Sequence, residues 1–312
     1  MIDRLIEKID KTENPTVVGL DPLYEMIPEK LKKEMLEQHG KTPKAVAEMF
    51  LVFNKGLIDG LCDMIPAVKP QIAMYEKYGT EGISAYIETT KYAKEKGLIV
   101  IGDVKRGDIA STAAAYASHL EGVEIEGEKF DIWHTDAVTL NPYMGYDVIE
   151  PFIKPCIDND KGMFILVKTS NKAAESFQEL KLCVSGFNDT VFFQRVAEYV
   201  RDWGKLAMGQ NGYSKIGAVL GATSSRFSII GSFGKKMRKM MPNTFFLIPG
   251  YGAQGGTGKD VKDFFDKDKR GCIVNSSRGI IAAYQKDSKY GDDNFVDAAR
   301  EAAEAMKKDL KR

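Results

Sequence analysis

Eight short runs of apolar, largely β-branched residues recur along this chain of 312 residues, separated by stretches with helical spacing of apolar positions. Runs that are apolar throughout are typical of strands buried on both faces, as in a parallel sheet. Eight such strands alternating with helices predict an α/β fold, a closed (β/α)8 TIM barrel, in preference to an open doubly wound sheet. The predicted strands are Thr16–Leu20, Ala67–Ala73, Leu98–Val104, Ala137–Leu140, Gly162–Lys168, Ile216–Gly221, Thr244–Ile248 and Gly271–Val274.

Two of the predicted connections are long. The segment from Pro22 to Pro66, after strand one, has room for two helices, and the segment from Asn171 to Lys215, after strand five, is expected to extend over the barrel mouth. We interpret both as insertions, because neither has the composition of a linker. No internal repeat or low-complexity segment divides the chain. We therefore expect a single domain spanning residues 1–312.

Composition narrows the possible partners and the compartment. The 44 basic residues balance 44 acidic ones, which gives no electrostatic reason to expect nucleic acid or a membrane surface as a partner. No apolar run approaches the roughly 18–20 residues of a membrane span, and the N-terminal segment predicts a charged amphipathic helix, not a signal peptide. The cysteines and histidines lack ligand-like spacing, and His119 is expected to pack or to lie on a helix surface. These features predict a cytoplasmic protein with reduced thiols and no metal.

The third strand leads into two carboxylates that bracket a lysine, Asp103, Lys105 and Asp108. Residues two apart in a strand point to the same face, so Asp103 and Lys105 are expected to lie together, with Asp108 in the following turn. Neighbouring carboxylates favour the protonated form of a lysine. Such an ammonium suits stabilisation of an anion and proton donation better than Schiff-base chemistry. The alternative is a surface ion-pair cluster of little energetic weight.

Charged or polar residues also follow other strands, at the end of the barrel where enzymes of this fold place their chemistry. Asp21 follows strand one, Lys69 ends strand two and Ser170 follows strand five. Each has a structural alternative: Asp21 as a turn former, Lys69 as a strand-end lysine with a buried stem, and Ser170 as a helix start. Charges at strands one, two and three together favour a functional site.

Glycine-rich segments follow strands seven and eight: PGYGAQGG, which begins at Pro249, and NSSRG, which contains Arg278. Loops seven and eight hold a substrate phosphate in many barrels, where backbone N–H groups approach the anion. Arg278 can bind such a phosphate bidentately, with Gln254 as a neutral donor. The alternative is that the glycines only form turns and that Arg278 lies on the surface. Two adjacent loops of this kind favour a phosphorylated ligand.

Together these motifs resemble the orotidine 5′-phosphate decarboxylase family over essentially the whole chain. The DxKxxD signature, the aspartate after strand one, the lysine of strand two, the phosphate loop and the final arginine are all present. The length and the two long connections are similar to the longer bacterial and protozoal branch of the family. The matching residues are Asp21, Lys69, Asp103, Lys105, Asp108, Gln254 and Arg278.

The resemblance implies a cofactor-free decarboxylation of orotidine 5′-phosphate to UMP and CO2 in de novo pyrimidine biosynthesis. It implies that Lys105 stabilises the C6 carbanion and protonates C6, and that Asp103 lies beside the substrate carboxylate. Asp108 and Thr112 would cross the interface of a homodimer with shared sites to meet the partner's substrate. The structural alternative for Asp108 is the N-cap of a helix over 109–121.

The same resemblance implies the contacts that bind the nucleotide. Asp21 and Lys69 would bind ribose hydroxyls, and Lys69 would also complete an alternating charge network with Asp103 and Lys105. The Pro249 loop, through Gln254, would hold the phosphate together with Arg278. Ser170 would read the pyrimidine ring. Its neighbours Thr169 and Asn171 remain alternatives for that contact, because the alignment can slip by one residue here.

Two other functions are compatible with parts of the pattern. A magnesium-dependent keto-sugar phosphate decarboxylase of the same superfamily would need an additional acidic metal ligand, whereas strand two ends in Lys69. A non-catalytic barrel that binds a phosphorylated ligand would keep Gln254 and Arg278 but would not require Lys105. We expect the cofactor-free decarboxylase.

Overall fold

A closed barrel of eight parallel strands forms the centre of this computed structural model. The structure describes residues 1–183, 190–222, 232–252, 255–286 and 289–311. Each barrel strand pairs with the next along the chain, and the eighth pairs with the first, so the predicted TIM barrel is confirmed. The strands are β1 (Thr16–Leu20), β2 (Ala67–Pro70), β3 (Ile99–Arg106), β4 (Ala137–Leu140), β5 (Gly162–Lys168), β6 (Ser214–Leu220), β7 (Thr244–Ile248) and β8 (Cys272–Ser276).

Helices surround the barrel, as the stretches with helical spacing of apolar positions predicted. The α-helices are α1 (Ile2–Thr12), α2 (Glu29–His39), α3 (Pro43–Leu61), α4 (Ala73–Glu76), α5 (Gly79–Glu95), α6 (Ala110–Tyr116), α7 (Ser118–Glu121), α8 (Glu150–Asp158), α9 (Glu175–Gln178), α10 (Phe192–Gly204), α11 (Phe233–Met240), α12 (Gly258–Val261), α13 (Arg278–Ile281) and α14 (Phe295–Leu310). Short 3-10 turns are Tyr24–Met26, Tyr146–Val148, Lys172–Ala174, Lys262–Phe264, Ala283–Gln285 and Asp292–Asn294.

The N-terminal helix α1 packs against the amino-terminal end of the barrel interior. Its apolar residues Ile2, Leu5 and Ile6 recur at helical spacing and are buried in one cluster with Phe164 and Phe245. Full burial of such a side chain contributes roughly 1.5–3 kcal/mol relative to exposure. The expected amphipathic helix is therefore part of the core, and the cavity lies at the opposite, carboxyl end of the barrel.

The barrel interior changes from apolar to polar along the strands. Alternate residues of a strand share a face, so residues two positions beyond buried interior residues continue the same inner surface. Ala67, Ile101, Ala137 and Ile273 belong to the apolar interior cluster. Two positions further on, the inner surface carries the buried polar side chains Lys69, Asp103, Thr139 and Asn275. Adjacent parallel strands thereby bring polar groups together in one layer at the carboxyl end.

Several element boundaries differ from the sequence-based expectation. Strand β2 ends at Pro70 and not at Ala73, because proline cannot donate to the sheet and Ala73 already begins α4. The helix expected over 109–121 is two helices, α6 and α7, that meet at Ala117. An antiparallel hairpin, Val123–Ile125 with Glu128–Phe130, was not predicted. Its turn has positive φ at both Glu126 and Gly127, and Glu-Gly is a weak hairpin signal.

Two general expectations can be compared with the structure. The four cysteines are free thiols, as the sequence predicted, with Cys156 and Cys272 buried. Burial raises the pKa of both thiols to about 12. No helix within the described part of the chain is long and apolar enough to cross a membrane.

Candidate active site

A cavity of about 640 Å³ opens at the carboxyl ends of the barrel strands. This is the end at which barrel enzymes place their chemistry. Residues from loops and strands all around the barrel line it. Those that the sequence singled out are Asp21, Lys69, Asp103, Lys105, Ser170, Pro249 and Arg278. Gln254 lies outside the described residues.

The carboxylate of Asp103 is the centre of a hydrogen-bond network at the cavity floor. Its Oδ2 accepts from Lys69 Nζ at 2.6 Å and from Gln71 Nε2 at 3.0 Å. Its Oδ1 accepts from Lys105 Nζ at 2.5 Å and from Thr139 Oγ1 at 2.9 Å. Each carboxylate oxygen therefore has two donors, which fixes the orientation of the group and the positions of both ammonium groups.

Burial and the two lysines set the charge of Asp103. Burial alone would raise the pKa of this carboxyl, but Lys69 and then Lys105 outweigh it and hold the pKa well below its ordinary value. Burial would likewise lower the pKa of Lys69, but the charges of Asp103 and Asp21 raise it above the ordinary lysine value. The site therefore presents a carboxylate beside a fixed ammonium, and both groups are buried at the cavity floor. Charges in such surroundings act strongly on a reacting group.

The backbone at Lys105 departs from a regular strand. Its φ is +43°, in the left-handed region that non-glycine residues rarely adopt, at a cost on the order of 1–3 kcal/mol. The register of β3 against β4 shifts between Gly102 and Arg106, and we call this irregularity the bulge in β3. The expectation that Asp103 and Lys105 meet is confirmed, and Lys105 lies within the segment of shifted register.

Two residues that line the cavity each have a buried side-chain oxygen without a hydrogen-bond partner among the described residues: Asp21 Oδ1 and Asn275 Oδ1. Asn275 donates its amide to Ser277 Oγ at 3.3 Å. A side chain on Gly19 would overlap that serine, with a Cβ only 1.9 Å from Ser277 Oγ. The floor near β1 and β8 is thus closely packed around Gly19, and it contains two buried acceptors that no described donor satisfies.

Side-chain hydrogen bonds join the segment after β5 to helix α9. Thr169, Ser170 and Asn171 all line the cavity. Gln178 accepts the backbone N–H of Thr169 at 2.9 Å, and donates to the Thr169 hydroxyl at 2.8 Å. Next to it, the buried ammonium of Lys168 pairs with Glu179 at 3.2 Å. This double attachment fixes the wall that Ser170 and its neighbours form.

Asp108 and Thr112 do not line the cavity of their own chain. Asp108 Oδ1 accepts the adjacent backbone N–H of Ile109 at 2.8 Å. Helix α6 begins at Ala110, and its N-cap residue is Ile109, without a side-chain cap. The helix-cap alternative for Asp108 is therefore wrong, and this carboxylate lies at the surface beside the mouth of the barrel.

Comparison with known proteins identifies the family. A model of the orotidine 5′-phosphate decarboxylase / HUMPS family matches residues 54–292. An orotidine 5′-phosphate decarboxylase of Petrotoga mobilis is 41% identical over 311 residues, covering 99% of this chain and 98% of that protein. One of Clostridium kluyveri is 43% identical over 297 residues, covering 94% and 92%. This chain belongs to the orotidine 5′-phosphate decarboxylase family.

The structure of Leishmania donovani OMP decarboxylase is also similar, with a TM-score of 0.71, 29% identity and coverage of 100% of this chain and 99% of that one. These findings confirm the family resemblance, the carboxy-lyase class and decarboxylation of orotidine 5′-phosphate in pyrimidine biosynthesis. The curated relatives carry the name of that enzyme over nearly the whole chain, which argues against a keto-sugar decarboxylase and against a non-catalytic barrel.

Within the decarboxylase site, sequence reasoning missed Thr139 and Gln71. Both bond Asp103 directly. Thr139 had a signal, because it is a polar residue two positions after Ala137 on a strand of four buried residues. Gln71 had little signal: it lies beyond the end of β2 and meets Asp103 through an isolated bridge. Among the residues that the structure describes, no group of three or more His, Cys, Asp or Glu side chains could hold a metal ion. The expectation of metal-free catalysis remains a prediction.

Proposed function

We propose that this decarboxylase acts on orotidine 5′-phosphate with its own side chains, without a metal or cofactor, and that Lys105 is the proton donor to C6. The observation that carries the proposal is the carboxylate of Asp103 held between Lys69 and Lys105 at the cavity floor. The Lys105 side chain is 45% exposed, toward the cavity that it lines, whereas Lys69 is buried. Of the two ammonium groups, that of Lys105 is therefore the more exposed to a substrate.

The chemistry requires stabilisation of a carbanion. Loss of CO2 breaks the bond between C6 and the carboxylate, and leaves the electron pair on C6 without a neighbouring electron sink. A preorganised ammonium beside C6 stabilises this charge and then gives its proton to C6, which forms UMP. Asp103 would lie beside the departing carboxylate, where like charges disfavour the bound substrate relative to the transition state. Its bonds to Lys69 and Lys105 keep it ionised for that role.

The remaining residues bind the nucleotide. We assign the ribose hydroxyls to Asp21 and Lys69, since both residues line the cavity. We assign the pyrimidine to Ser170 on the wall after β5. Pro249 and Arg278 line the cavity from the loops after β7 and β8. Together with Gln254, they would hold the phosphate. Binding energy from a phosphate remote from C6 can lower the barrier at the reacting carbon.

We further propose a cytoplasmic homodimer in which Asp108 and Thr112 reach the partner's site. The surface beside Asp108 is apolar: Ile109 is 55% exposed and Tyr143 is 68% exposed. Gly107 lies against Asn141, because a Cβ there would approach the Asn141 carbonyl oxygen to 2.7 Å, so the loops after β3 and β4 are in contact.

This apolar surface continues across the barrel mouth. The ring of Tyr143 lies 5.6 Å from the ring of Phe177, which is itself 46% exposed. Met144, which follows Tyr143 in the chain, is 48% exposed. Exposed aromatic and apolar groups in one patch are typical of a protein interface. A two-fold axis through this patch would bring Asp108 of each subunit towards the other's cavity. One domain of 312 residues would then supply each half of the dimer.

The direct test is the fall in ultraviolet absorbance as orotidine 5′-phosphate is converted, measured with EDTA present. The wild-type protein should convert the substrate at the same rate with and without the chelator. Lys129→Ala, on the exposed hairpin, is a matched control that removes a lysine far from the cavity and should keep full activity. A requirement for magnesium, or no turnover by pure folded protein, would overturn the proposal.

A further inference from the structure

The C-terminal helix α14 is attached to the loop that follows β7 through a single carboxylate oxygen. Asp309 Oδ2 accepts from the hydroxyl of Tyr251 at 2.9 Å and from the backbone N–H of Gly258 at 2.7 Å. Tyr251 lies before and Gly258 lies after residues 252–257 of the loop. One oxygen from a distant part of the chain thus holds both flanks of this loop.

The same loop requires close approach of α14. A Cβ on Gly258 would lie 2.4 Å from the Asp309 backbone oxygen and 2.8 Å from its Oδ2. Nothing larger than glycine fits there without displacing the helix. Gly258 also begins α12, whose start is fixed by a capping box between Thr257 and Asp260. The Asp309 contact therefore fixes the backbone at the end of the loop, where a residue larger than glycine would overlap α14.

The other flank of the loop faces the cavity. Tyr251 lines the cavity together with Pro249, Gly250 and Arg278. Gly256 donates its N–H to the Gly250 carbonyl at 3.1 Å, which closes the loop on itself. Burial and then the bond to Asp309 raise the pKa of Tyr251, so its hydroxyl stays protonated and continues to donate.

We propose, on the basis of the phosphate site proposed above, that Asp309 is a positioning residue for phosphate recognition. It bonds the cavity-lining residue Tyr251, and it holds both flanks of the loop after β7, whose first residues line the cavity together with Arg278. Charge-assisted hydrogen bonds of this kind are short and strong. The C-terminal helix thereby takes part in substrate binding although it contributes no residue to the cavity.

The role predicts a selective defect. The carboxylate of Asp103 and the ammonium of Lys105 belong to β3, whereas the attached loop follows β7. Loss of the Asp309 contact should therefore weaken the binding of phosphorylated ligands and leave phosphate-free ligands unaffected. A residue that only stabilised the fold would affect both kinds of ligand to the same extent.

The experiment compares Asp309→Ala, Asp309→Asn and Tyr251→Phe in the full chain, with Glu304→Ala on the same helix as the matched control. Dissociation constants are measured for UMP and for uridine, and kcat/KM for orotidine 5′-phosphate and for orotidine. Circular dichroism and thermal unfolding establish that each variant is folded. Asp309→Ala should raise the dissociation constant for UMP at least about tenfold and leave that for uridine unchanged. Asp309→Asn, which keeps an acceptor oxygen, should recover part of the loss.

Arg278→Ala, measured in parallel, separates failure of this inference from failure of the phosphate site. If Arg278→Ala discriminates against phosphorylated ligands and Asp309→Ala does not, the phosphate site stands and the positioning role is wrong. If neither variant discriminates, the phosphate site itself is wrong and the role of Asp309 falls with it. Equal losses for UMP and uridine in Asp309→Ala would show a purely structural contact and would also overturn the inference.

Discussion

The hydroxyl of Thr139 accepts the backbone N–H of Lys105 at 3.0 Å, and the same hydroxyl donates to Asp103 at 2.9 Å. One side chain on β4 therefore fixes both the strained backbone of the lysine and the carboxylate to which that lysine is bonded. The threonine connects the bulge in β3 to the charge network, and removal of its hydroxyl should affect both.

Thr139→Val should reduce kcat by about tenfold or more with little change in KM, because a buried donor left without its acceptor costs about 1–3 kcal/mol. Thr139→Ser keeps the hydroxyl and is the matched control, with nearly normal kcat expected. Steady-state kinetics and thermal unfolding of both variants provide the measurement. A valine variant with wild-type kcat would contradict the positioning role of the hydroxyl.

Lys105→Ala should fold normally and lose nearly all decarboxylation, while it still binds UMP. The expected loss follows from the removal of the more exposed of the two ammonium groups bonded to Asp103. Turnover should be measured on protein purified free of wild-type enzyme, and UMP binding by calorimetry. Appreciable turnover in such a preparation would exclude Lys105 as the essential proton donor.

Arg278→Ala should lower kcat/KM for orotidine 5′-phosphate by at least tenfold, because a hydrogen bond to a charged group contributes about 1.5–3 kcal/mol. A phosphate-free nucleoside should be affected little, since Arg278 follows β8 and lies in the loop region assigned to the phosphate. Competition assays with UMP and uridine check the difference. A smaller loss for the phosphorylated substrate would count against phosphate binding by this arginine.

Stability should depend on pH through His119, which is buried and stacked on Trp133 with ring centroids 4.2 Å apart. Burial lowers the pKa of its imidazole to about 3, against about 6.5 in the unfolded chain. Between these values the unfolded chain binds a proton that the native protein does not. The free energy of unfolding therefore decreases as the pH falls, by up to about 1.4 kcal/mol per pH unit from this group.

His119→Phe and His119→Asn remove this titration. Urea unfolding at about pH 6 and about pH 4 should give a shallower pH dependence for both variants than for the wild type. The two variants should differ in their free energy of unfolding, because they pack differently against Trp133. They should have the same pH dependence of that free energy, because both lack the imidazole. A slope unchanged from the wild type would show that His119 does not titrate between the two states.

Mixed dimers test the shared site. If Asp108 acts in the partner's cavity, Lys105→Ala and Asp108→Ala homodimers should both be nearly inactive. A mixed dimer would then combine the intact Lys105 of one chain with the intact Asp108 of the other in one complete site, and its second site would carry both lesions. Random remixing of equal amounts makes about half of the dimers mixed, so roughly a quarter of wild-type sites should return. Mass-tagged chains must first show that subunits exchange between dimers. If they exchange and no activity returns, Asp108 acts within its own chain and not in the partner's site.

The barrel could be predicted because its strands are buried on both faces and leave continuous apolar runs in the sequence. The positions of Asp21, Lys69 and Asp103 followed from the same reasoning, since the end of a buried strand is read directly from the point at which polar residues begin. Strand ends were less certain: Pro70 ends β2 three residues earlier than the apolar pattern suggested.

The parts that could not be predicted depend on contacts between distant segments. The bulge in β3, which contains Lys105, is a shift in the pairing of β3 with β4, and no local pattern in the sequence encodes a register shift. The attachment of Asp309 to Tyr251 joins residues 58 positions apart. Gln71 meets Asp103 only because β2 and β3 are neighbours in the barrel.

The closure of the barrel has a consequence for how the protein is made. Strand β1 pairs with β8, with Thr16 opposite Val274 and Val18 opposite Ser276. The strand that completes the ring is thus the last to leave the ribosome, and Arg278 emerges directly behind it. Pairings this distant in sequence form late, because the chain between them must be ordered first. During synthesis the growing chain can hold β1 beside β2, while the other edge of β1 stays unpaired until β8 has been synthesised.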